Sequence, residues 1–239
     1  ELGLAGLCVS DAHGGMGMGA VECMVVQEEL GRGIALEPLA QTWMCSTLLE
    51  HYAPATLKAQ WLPQLASGEA LVVLAAQERK ARYQIDKCDA KAVLAGDKYA
   101  LTAIKNIVPV GDSANAFVVP AMLNGSMALF LVERSASGVS TRGYGCQDGS
   151  RAADITFKDA PAQLITTKGL AALEWAVDFG IASTCAYAVG VMDKTLAVTV
   201  EYMNTRKQFG VFISSFQALR HRVADMKMQL ELARSMSYY

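Results

Sequence analysis

The spacing of apolar residues changes twice along the chain, and this change limits the fold more than any other feature. Residues 1–69 and 166–239 carry apolar side chains at the three- and four-residue spacings of amphipathic helices. Residues 70–165 consist instead of short apolar runs separated by turn residues, with no helical pattern between them. Strands without intervening helices favour an antiparallel barrel or sandwich over a parallel sheet. The sequence therefore predicts an α+β fold with an N-terminal helical domain (1–69), a middle β-domain (70–165) and an incomplete C-terminal helical bundle (166–239).

The element boundaries follow from turn and capping residues. Gly96-Asp97 and Asn124-Gly125 are typical of two-residue hairpin turns. Gly210 is expected to end the first long C-terminal helix, and Ser214-Ser215 to begin the next. The predicted early helices are Ala20–Arg32, Pro38–Glu50 and about Pro54–Ala66. The predicted strands are Ala70–Ala76, Lys91–Ala95, Tyr99–Val110, Ala116–Ala121 and Met127–Val132, with a further alternating segment at Ala153–Phe157.

Composition excludes some classes of function. A net charge of −2 and a pI of about 6.0 offer no basic stripe for nucleic acid. A mean hydropathy of +0.24 suggests buried helices or a subunit interface. Ser113–Val132 is uncharged but contains Asn-Gly, so we expect a hairpin there. Phe179–Met192 is too short to span a bilayer and is expected to be a buried core helix. The sequence therefore predicts no membrane span. The six cysteines show no Cys-x-x-Cys pair, which argues against a zinc site and fits a reduced, cytoplasmic setting.

A glycine-rich segment near the start offers one motif. Gly15–Ala20 fits the G-x-G-x-x-A dinucleotide pattern, and Glu37 lies twenty residues after Gly17. Asp11–His13 nevertheless separates these glycines from the strand-like Gly6–Ser10, and no alternation of strand and helix follows. A nicotinamide-dependent oxidoreductase is therefore disfavoured. The three histidines also lack metal-ligand spacing, so no metal site is predicted.

The segment from Arg206 to Met226 is the most informative. It brings Arg206, Phe209 and Gln217 together around the link between two helices. A guanidinium there could hold a diphosphate through paired hydrogen bonds. The alternative, an ordinary surface arginine at a helix end, is favoured by the helix dipole and, from the residues alone, remains the stronger of the two.

This segment resembles a known family. Arg206-x-Gln208-Phe209-Gly210, followed by Phe216-Gln217, His221 and Ala224-Asp225-Met226, resembles the C-terminal signature of acyl-CoA dehydrogenases. Further pieces of the family pattern occur in order along the whole chain: Glu28–Arg32, Trp61–Pro63, Ser67–Glu69, Gly96–Tyr99, Lys105 and Gly111–Ala114. On these residues the chain is identified as a member of that family, expected to be trimmed at both ends because it begins without Met and stops within a helical pattern.

The resemblance implies an oxidoreductase of fatty acid metabolism that uses FAD to convert an acyl-CoA to the 2-enoyl-CoA. A glutamate removes the α-proton while the flavin accepts hydride from the β-carbon. That glutamate is expected beyond residue 239, since the alternative family position corresponds to Gly180 here. The resemblance also implies an oligomer that passes electrons to an electron-transfer flavoprotein or a similar acceptor.

Site residues carry over by position. Arg206 is assigned to the FAD diphosphate of a neighbouring subunit, and Phe209, Phe216 and Gln217 to its adenosine end. The further assignments are Gln208, Gln77, Val108 and Pro109 for the cofactor, and Asp178 and Tyr83 for the acyl-CoA.

The β-domain departs from the family pattern. Gln77-Glu78-Arg79 replaces Thr-Glu-Pro, Arg82-Tyr83-Gln84 replaces Gly-Ser-Asp, and Ile107-Val108-Pro109-Val110 replaces Trp-Ile-Thr-Asn. Proline has neither a hydroxyl nor an N–H to donate to a flavin nitrogen. An alternative therefore stays open: a non-catalytic or partner subunit of a heteromeric enzyme, resembling the small subunits of pimeloyl-CoA-type or steroid-type acyl-CoA dehydrogenases.

Overall fold

The computed structural model describes residues 2–239 and confirms the α+β fold class. The helices are α1 (Ala20–Gly33), α2 (Leu39–Tyr52), α3 (Ala55–Ser67), α4 (Gly169–Thr205) and α5 (Gln217–Tyr238), with 3-10 turns at Leu4–Gly6, Asp11–His13 and Ile213–Ser215. The strands are β1 (Val72–Leu74), β2 (Lys91–Ala95), β3 (Lys98–Pro109), β4 (Ala116–Leu123), β5 (Ser126–Glu133), β6 (Val139–Gly145), β7 (Arg151–Thr166), β8 (Lys207–Gln208) and β9 (Val211–Phe212).

The middle sheet is mixed rather than purely antiparallel, which corrects one detail of the prediction. β1 pairs with β4 in parallel, and β2 meets β4 in parallel at Lys91 and Met122. The other pairings are antiparallel and close a ring through β4, β2, β3, β7, β5 and back to β4. The whole β2–β3 hairpin lies between β1 and β4, so the connection is long enough for β4 to return in the same direction. Turn residues reveal only neighbours joined by hairpins, which is why the sequence could not show this pairing.

Both predicted hairpin turns are confirmed. Ala95 pairs with Lys98 across Gly96-Asp97, and Leu123 pairs with Ser126 across Asn124-Gly125. Asn124 and Gly125 have φ values of 50° and 85°, the two left-handed conformations that the tightest hairpin turn requires. Strand β6 was not predicted because it is polar and glycine-containing. It lies outside the ring and pairs only with β7 among the described strands.

The chain divides into two compact units. The first comprises the residues up to Ala20 together with Glu37–Gly180. One of its cores packs α2 and α3 against the sheet, and the other fills the barrel with fully buried aromatic rings. Those rings are Phe117, Phe130 and Phe157.

The second unit comprises Val21–Leu36 and Ile181–Tyr239. Glycines allow its helices to approach closely, because a Cβ added at Gly31 would lie 2.0 Å from the Tyr187 carbonyl oxygen. Arg234 on α5 reaches Glu28 on α1 at 3.3 Å. Leu230 is the buried apolar residue of α5, with an exposed fraction of 2%.

The structure disfavours the dinucleotide motif, as the sequence did, and it corrects the prediction of a buried core helix at Phe179–Met192. Gly15 is not part of a dinucleotide turn, because 3-10 turns rather than a strand precede it and its added Cβ would lie 2.0 Å from the Val9 carbonyl oxygen. The glycine there serves close packing. The run Phe179–Met192 is buried on one side only, not throughout, and it belongs to α4, the one helix between residues 2 and 239 that is long and apolar enough by composition to cross a membrane. A single helix of this kind is weak support for a span, since core helices of soluble proteins pass the same test.

Candidate functional site

The link between α4 and α5 in the second unit is a small hairpin. Helix α4 ends at Thr205 rather than at Gly210, and β8 pairs with β9 across Phe209-Gly210. Phe209 and Gly210 have φ values of 52° and 81°, so Gly210 completes a tight turn instead of terminating the helix. The backbone N–H of Ile213 donates to the Arg206 carbonyl oxygen at 2.9 Å, which closes the hairpin at its base.

The side chains predicted to bind the cofactor are exposed around this hairpin. Phe209 is 93% exposed, and its ring meets Phe216 edge-on at 6.2 Å. The Arg206 side chain has no ion-pair partner among residues 2–239. Gln208 and Gln217 are also exposed, and the Gln208 amide donates to the Lys207 carbonyl oxygen. The structure thus brings five of the predicted residues together on one surface of the second unit.

Helix α5 begins at this same surface. Its N-cap, Phe216, provides no side-chain hydrogen bond, and the first turn contains no acidic residue. The leading N–H groups and the helix dipole therefore favour an anion nearby. Arg220 donates from Nε to the Ser214 carbonyl oxygen at 2.6 Å and holds the 3-10 turn against the helix start. An exposed guanidinium beside a helix N-terminus is chemically suited to a phosphate or diphosphate.

The other predicted cofactor residues lie in the first unit. The backbone N–H of Asn106 donates to the Gln77 carbonyl oxygen at 2.9 Å, which joins the segment after β1 to β3. Gln77, Asn106 and Ile107 line a cleft of about 420 Å³. Val108 is 1% exposed and its side chain lies in the barrel core, whereas Pro109 is exposed and pairs with Ala152 on β7. Of these three predicted residues, Gln77 lines the cleft and Val108 and Pro109 do not.

Asp154 organises this cleft. Its Oδ1 accepts from the Ile107 N–H at 3.3 Å and from the Tyr144 hydroxyl at 3.4 Å, and its Oδ2 accepts from Arg142 at 3.2 Å. Burial alone raises the pKa of the Asp154 carboxyl, but the hydrogen bonds from Asn106 and Ile107 and the charge of Arg142 outweigh it, so the pKa is lowered. Asp154 is therefore ionised at neutral pH.

The backbone beside Asp154 is strained. Ile107 has a φ of 52°, which is unfavourable for a β-branched residue, and the β3–β7 register shifts between Lys105 and Val108. The Asp154 carboxylate accepts a hydrogen bond from the Ile107 N–H, which this bulge turns outward. Sequence reasoning did not select Asp154, and its polar position within an alternating strand was the one available signal.

Of the two residues predicted to bind acyl-CoA, Tyr83 lines a cavity of the first unit and Asp178 does not line that same cavity. Tyr83 is 92% exposed and lines a cavity of about 240 Å³ whose apolar wall includes Leu173 and Val177 of α4. Asp178 is exposed and, within residues 2–239, lines neither this cavity nor the 420 Å³ cleft. Gly180 carries no side chain, and Met44 Sδ lies 3.2 Å from where its Cβ would stand. Gly180 therefore cannot act as the base that removes the α-proton.

A buried ion pair lies behind the cavity. Lys105 is fully buried, and its Nζ donates to Glu78 Oε1 at 2.6 Å. Glu78 also accepts backbone N–H groups from Asp89 at 2.7 Å and Ala90 at 3.2 Å. Burial raises the pKa of the Glu78 carboxyl, but Lys105 and the two N–H groups more than offset it, so the pKa lies below its ordinary value.

This ion pair also contacts a cysteine. The Cys88 Sγ lies 3.5 Å from Glu78 Oε1 and 3.4 Å from the Pro120 carbonyl oxygen, and its single proton can be donated to either acceptor. Burial, with the nearby Glu78 charge, raises the pKa of the Cys88 thiol, which therefore stays protonated and unreactive at neutral pH. Glu78, Lys105 and Cys88 together hold the segment after β1 onto the barrel.

No cluster of three or more His, Cys, Asp or Glu able to hold a metal ion occurs in the part of the chain that the structure describes.

The sequence matches two family profiles. Residues 1–69 match the acyl-CoA dehydrogenase N-terminal domain, and residues 167–239 match the acyl-CoA dehydrogenase C-terminal domain. The probable acyl-CoA dehydrogenase YngJ of Bacillus subtilis (strain 168) is 30% identical over 253 residues, covering 99% of this chain and 67% of that relative.

Solved structures show the same likeness. Butyryl-CoA dehydrogenase from Megasphaera elsdenii has a TM-score of 0.92 at 25% identity, covering 99% of this chain and 67% of that one. The ChsE4-ChsE5 complex from Mycobacterium tuberculosis has a TM-score of 0.88 at 26% identity, covering 99% of this chain and 64% of that one. The chain thus spans about two thirds of the length of these relatives.

Proposed function

The chain belongs to the acyl-CoA dehydrogenase family, and on that basis we propose that it is part of an FAD-dependent acyl-CoA dehydrogenase, to which its Arg206 hairpin contributes a diphosphate-binding surface. The whole enzyme would convert an acyl-CoA thioester to the 2-enoyl-CoA. Electrons would pass to an electron-transfer flavoprotein or a similar acceptor in the cytoplasm.

One observation carries this proposal. The surface around the hairpin combines an unpaired guanidinium, two solvent-facing phenyl rings and an uncapped helix start, and all of them lie within residues 206–217. An aromatic ring that is 93% exposed gains free energy when a flat apolar group covers it. A dinucleotide supplies both a charged diphosphate for Arg206 and a flat adenine for Phe209 and Phe216. The residues present therefore fit this end of FAD.

The residues of this chain fit the flavin end of FAD less well than its adenosine end. When bound, a flavin supplies the acceptor for the β-hydride. In this chain, Gln77 and the Ile107 backbone border the cleft that could hold it, while Pro109 has no N–H to offer. The cleft is polar and contains an ionised Asp154. The first unit therefore offers fewer flavin contacts than the family pattern implies.

These differences favour a second candidate, a partner subunit in a heteromeric dehydrogenase. Gly180 offers no carboxylate, so removal of the α-proton requires a base from elsewhere in the whole protein or from a partner. The likeness to the ChsE4-ChsE5 complex supports the heteromeric form. In that form this chain would donate Arg206 and Gln217 to a cofactor held mainly by a related subunit.

Replacing Arg206 with alanine in the whole protein, purified with any subunit it assembles with, should weaken FAD binding by about 1.5–3 kcal/mol, the range for a hydrogen bond to a charged group. The dissociation constant, followed by quenching of flavin fluorescence, should rise roughly 10- to 150-fold. Circular dichroism should be unchanged, because the Arg206 side chain is exposed.

Lys207→Ala is the matched control. It removes the same charge from the adjacent residue, whose ammonium lies 4.7 Å from the Phe212 ring centre. FAD affinity should then stay within about threefold of the original, since a screened surface charge contributes little. Equal losses in both variants, or none in Arg206→Ala, would remove Arg206 from the cofactor site.

Expression of the whole protein without its partner separates the two candidates. A stoichiometric flavin content together with reduction of an electron acceptor by an acyl-CoA would exclude the partner-subunit form. Protein that lacks flavin alone but acquires it on mixing with a related subunit would exclude the self-sufficient form.

A further inference from the structure

Four charged side chains close a ring between the three helices of the second unit. Arg32 on α1 donates to Glu28, four residues earlier, at 3.5 Å and also pairs with Asp193 on α4. Arg234 on α5 reaches Glu28 at 3.3 Å and Asp193 at 3.5 Å. Two carboxylates and two guanidinium groups therefore alternate around this charge ring, and each contacts both neighbours of opposite charge.

The charge ring is more enclosed than an ordinary surface ion pair. The side chains of Glu28, Asp193 and Arg234 are 11%, 21% and 20% exposed. Partly buried charges are screened much less than exposed ones, so their attraction is stronger. Burial alone lowers the pKa of the Arg234 guanidinium, but Glu231, Glu28 and Asp193 outweigh it, so the pKa is raised. The Tyr238 hydroxyl donates to Glu28 Oε2 at 3.1 Å and adds a second contact from α5.

Helix α5 has little apolar surface with which to hold this position. Leu230 is its buried apolar residue, and it packs with Val189 and Leu196 of α4. Val223 and Ala233 are partly buried against the same cluster. Apolar contacts of this kind are non-directional, so a small cluster lets a helix slide or lift. The charge ring supplies the directional contacts that fix α5 on its neighbours.

The charge ring is also built so that one helix can leave it at a low cost. Removing one partner from an isolated buried ion pair leaves an uncompensated charge. Here Arg32 bridges Glu28 and Asp193 by itself, so both carboxylates keep a counter-ion when Arg234 moves away. The contact between α1 and α4 would then remain intact while α5 is released.

We infer that the charge ring is an electrostatic latch, which docks α5 on α1 and α4 and can open without unfolding those two helices. Local openings of this kind occur in elements that bury few apolar side chains, and α5 is such an element. Gln217 and Arg234 lie roughly 25 Å apart along α5, so opening at Arg234 would let the start of the helix tilt.

Hydrogen–deuterium exchange of the whole protein, purified with any subunit it assembles with, tests the latch. Arg234→Gln should speed amide exchange along α5 about tenfold, at one charged hydrogen bond lost. Exchange in α1 and α4 should change less than about threefold, because their own contact through Arg32 remains. Arg234→Lys should recover part of the protection, since an ammonium keeps the charge but lacks the fork of N–H groups that meets two carboxylates.

Lys227→Gln is the matched control. It removes a charge from the same helix, but Lys227 pairs with Glu231 and the two side chains are 56% and 49% exposed. Exchange along α5 should then change less than about threefold. In a double-mutant cycle, Glu28→Gln combined with Arg234→Gln should cost less protection than the two single changes added together, because the two residues contact each other.

Three results would exclude the latch. Arg234→Gln could leave exchange along α5 unchanged, or Lys227→Gln could speed it equally. Arg234→Gln could also speed exchange in α1 and α4 as much as in α5, in which case the charge ring stabilises the whole unit instead of one movable helix.

A link between the latch and the cofactor rests on the proposed function, and FAD tests it separately. If FAD binds only when α5 is docked, FAD at 100 times its dissociation constant should slow exchange along α5 by as much as about 100-fold. Bound FAD with no slowing would overturn this link. A wild type that binds no FAD would overturn the proposed function, whereas the exchange of the Arg234 variants decides the latch without any FAD.

Discussion

Lys105→Met is expected to lower the free energy of unfolding by about 3–5 kcal/mol, the usual cost of removing one partner from a buried ion pair. Methionine fills a similar volume, so the loss comes from the carboxylate left behind. Glu78 is only 6% exposed, so its carboxyl group would be buried without a counter-ion. The Asp89 and Ala90 N–H groups would remain, but they do not neutralise it.

Chemical denaturation at neutral pH measures this effect. The control is Lys80→Gln, which breaks an ion pair whose side chains are 88% and 70% exposed, and it should cost less than about 1 kcal/mol. Adding Glu78→Gln to Lys105→Met should recover part of the loss, because no buried charge then remains. A Lys105→Met protein as stable as the wild type would mean that the pair is solvated.

The same pair predicts a dependence on pH. The pKa of Glu78 is lowered below its ordinary value of 4.5 in the folded protein. A lowered carboxyl pKa contributes stability that is present above the unfolded pKa and is lost as pH falls through the folded pKa. In Lys105→Met the carboxylate loses the lysine that lowers its pKa. The stability difference between wild type and Lys105→Met should therefore be largest at neutral pH and shrink below pH 4.5.

Gly31→Ala is expected to destabilise the second unit by about 3 kcal/mol, the upper end for overpacking of a tight contact. The added methyl group would lie 2.0 Å from the Tyr187 carbonyl oxygen, and this atom is backbone that cannot rotate away. Helix α1 would have to move away from α4. Gly190 shows the reciprocal contact, since its Cβ would lie 1.9 Å from the Glu28 carbonyl oxygen.

Gly33→Ala on the same helix is the matched control. Nothing lies within 4 Å of a Cβ at Gly33, and its φ is not positive. Gly33→Ala should therefore raise the free energy of unfolding by about 0.5 kcal/mol, because alanine makes the unfolded chain less flexible than glycine does. Thermal unfolding of both variants gives the comparison. If Gly31→Ala unfolds at the same temperature as Gly33→Ala, the two helices do not approach as closely as the structure shows.

The Arg206 surface could be predicted from sequence because it is local. Arg206, Phe209, Phe216 and Gln217 lie within twelve positions, and one hairpin turn brings them together. The β8–β9 hairpin itself was not predicted. Gly210 was interpreted as a helix end, since a glycine serves equally well after a helix and in a left-handed turn.

The cleft of the first unit could not be predicted in the same way. Its lining residues come from the loop after β1 and from β3, β6 and β7, separated by up to 77 positions from Gln77 to Asp154. No sequence pattern shows that Asp154 accepts the Ile107 N–H or that Arg142 reaches it, because both contacts depend on strand register. The Glu78–Lys105 pair likewise crosses 27 positions.

The sequence by itself determined the succession of a helical, a β and a second helical region, two hairpin turns and the family, because periodicity and turn chemistry act over a few residues. Only the tertiary structure decided that β1 and β4 run parallel, that Lys105 forms an ion pair with Glu78, and that three arginines share one cleft. Those features depend on which distant segments pack together, and that choice is made by burial of the whole core rather than by any local pattern.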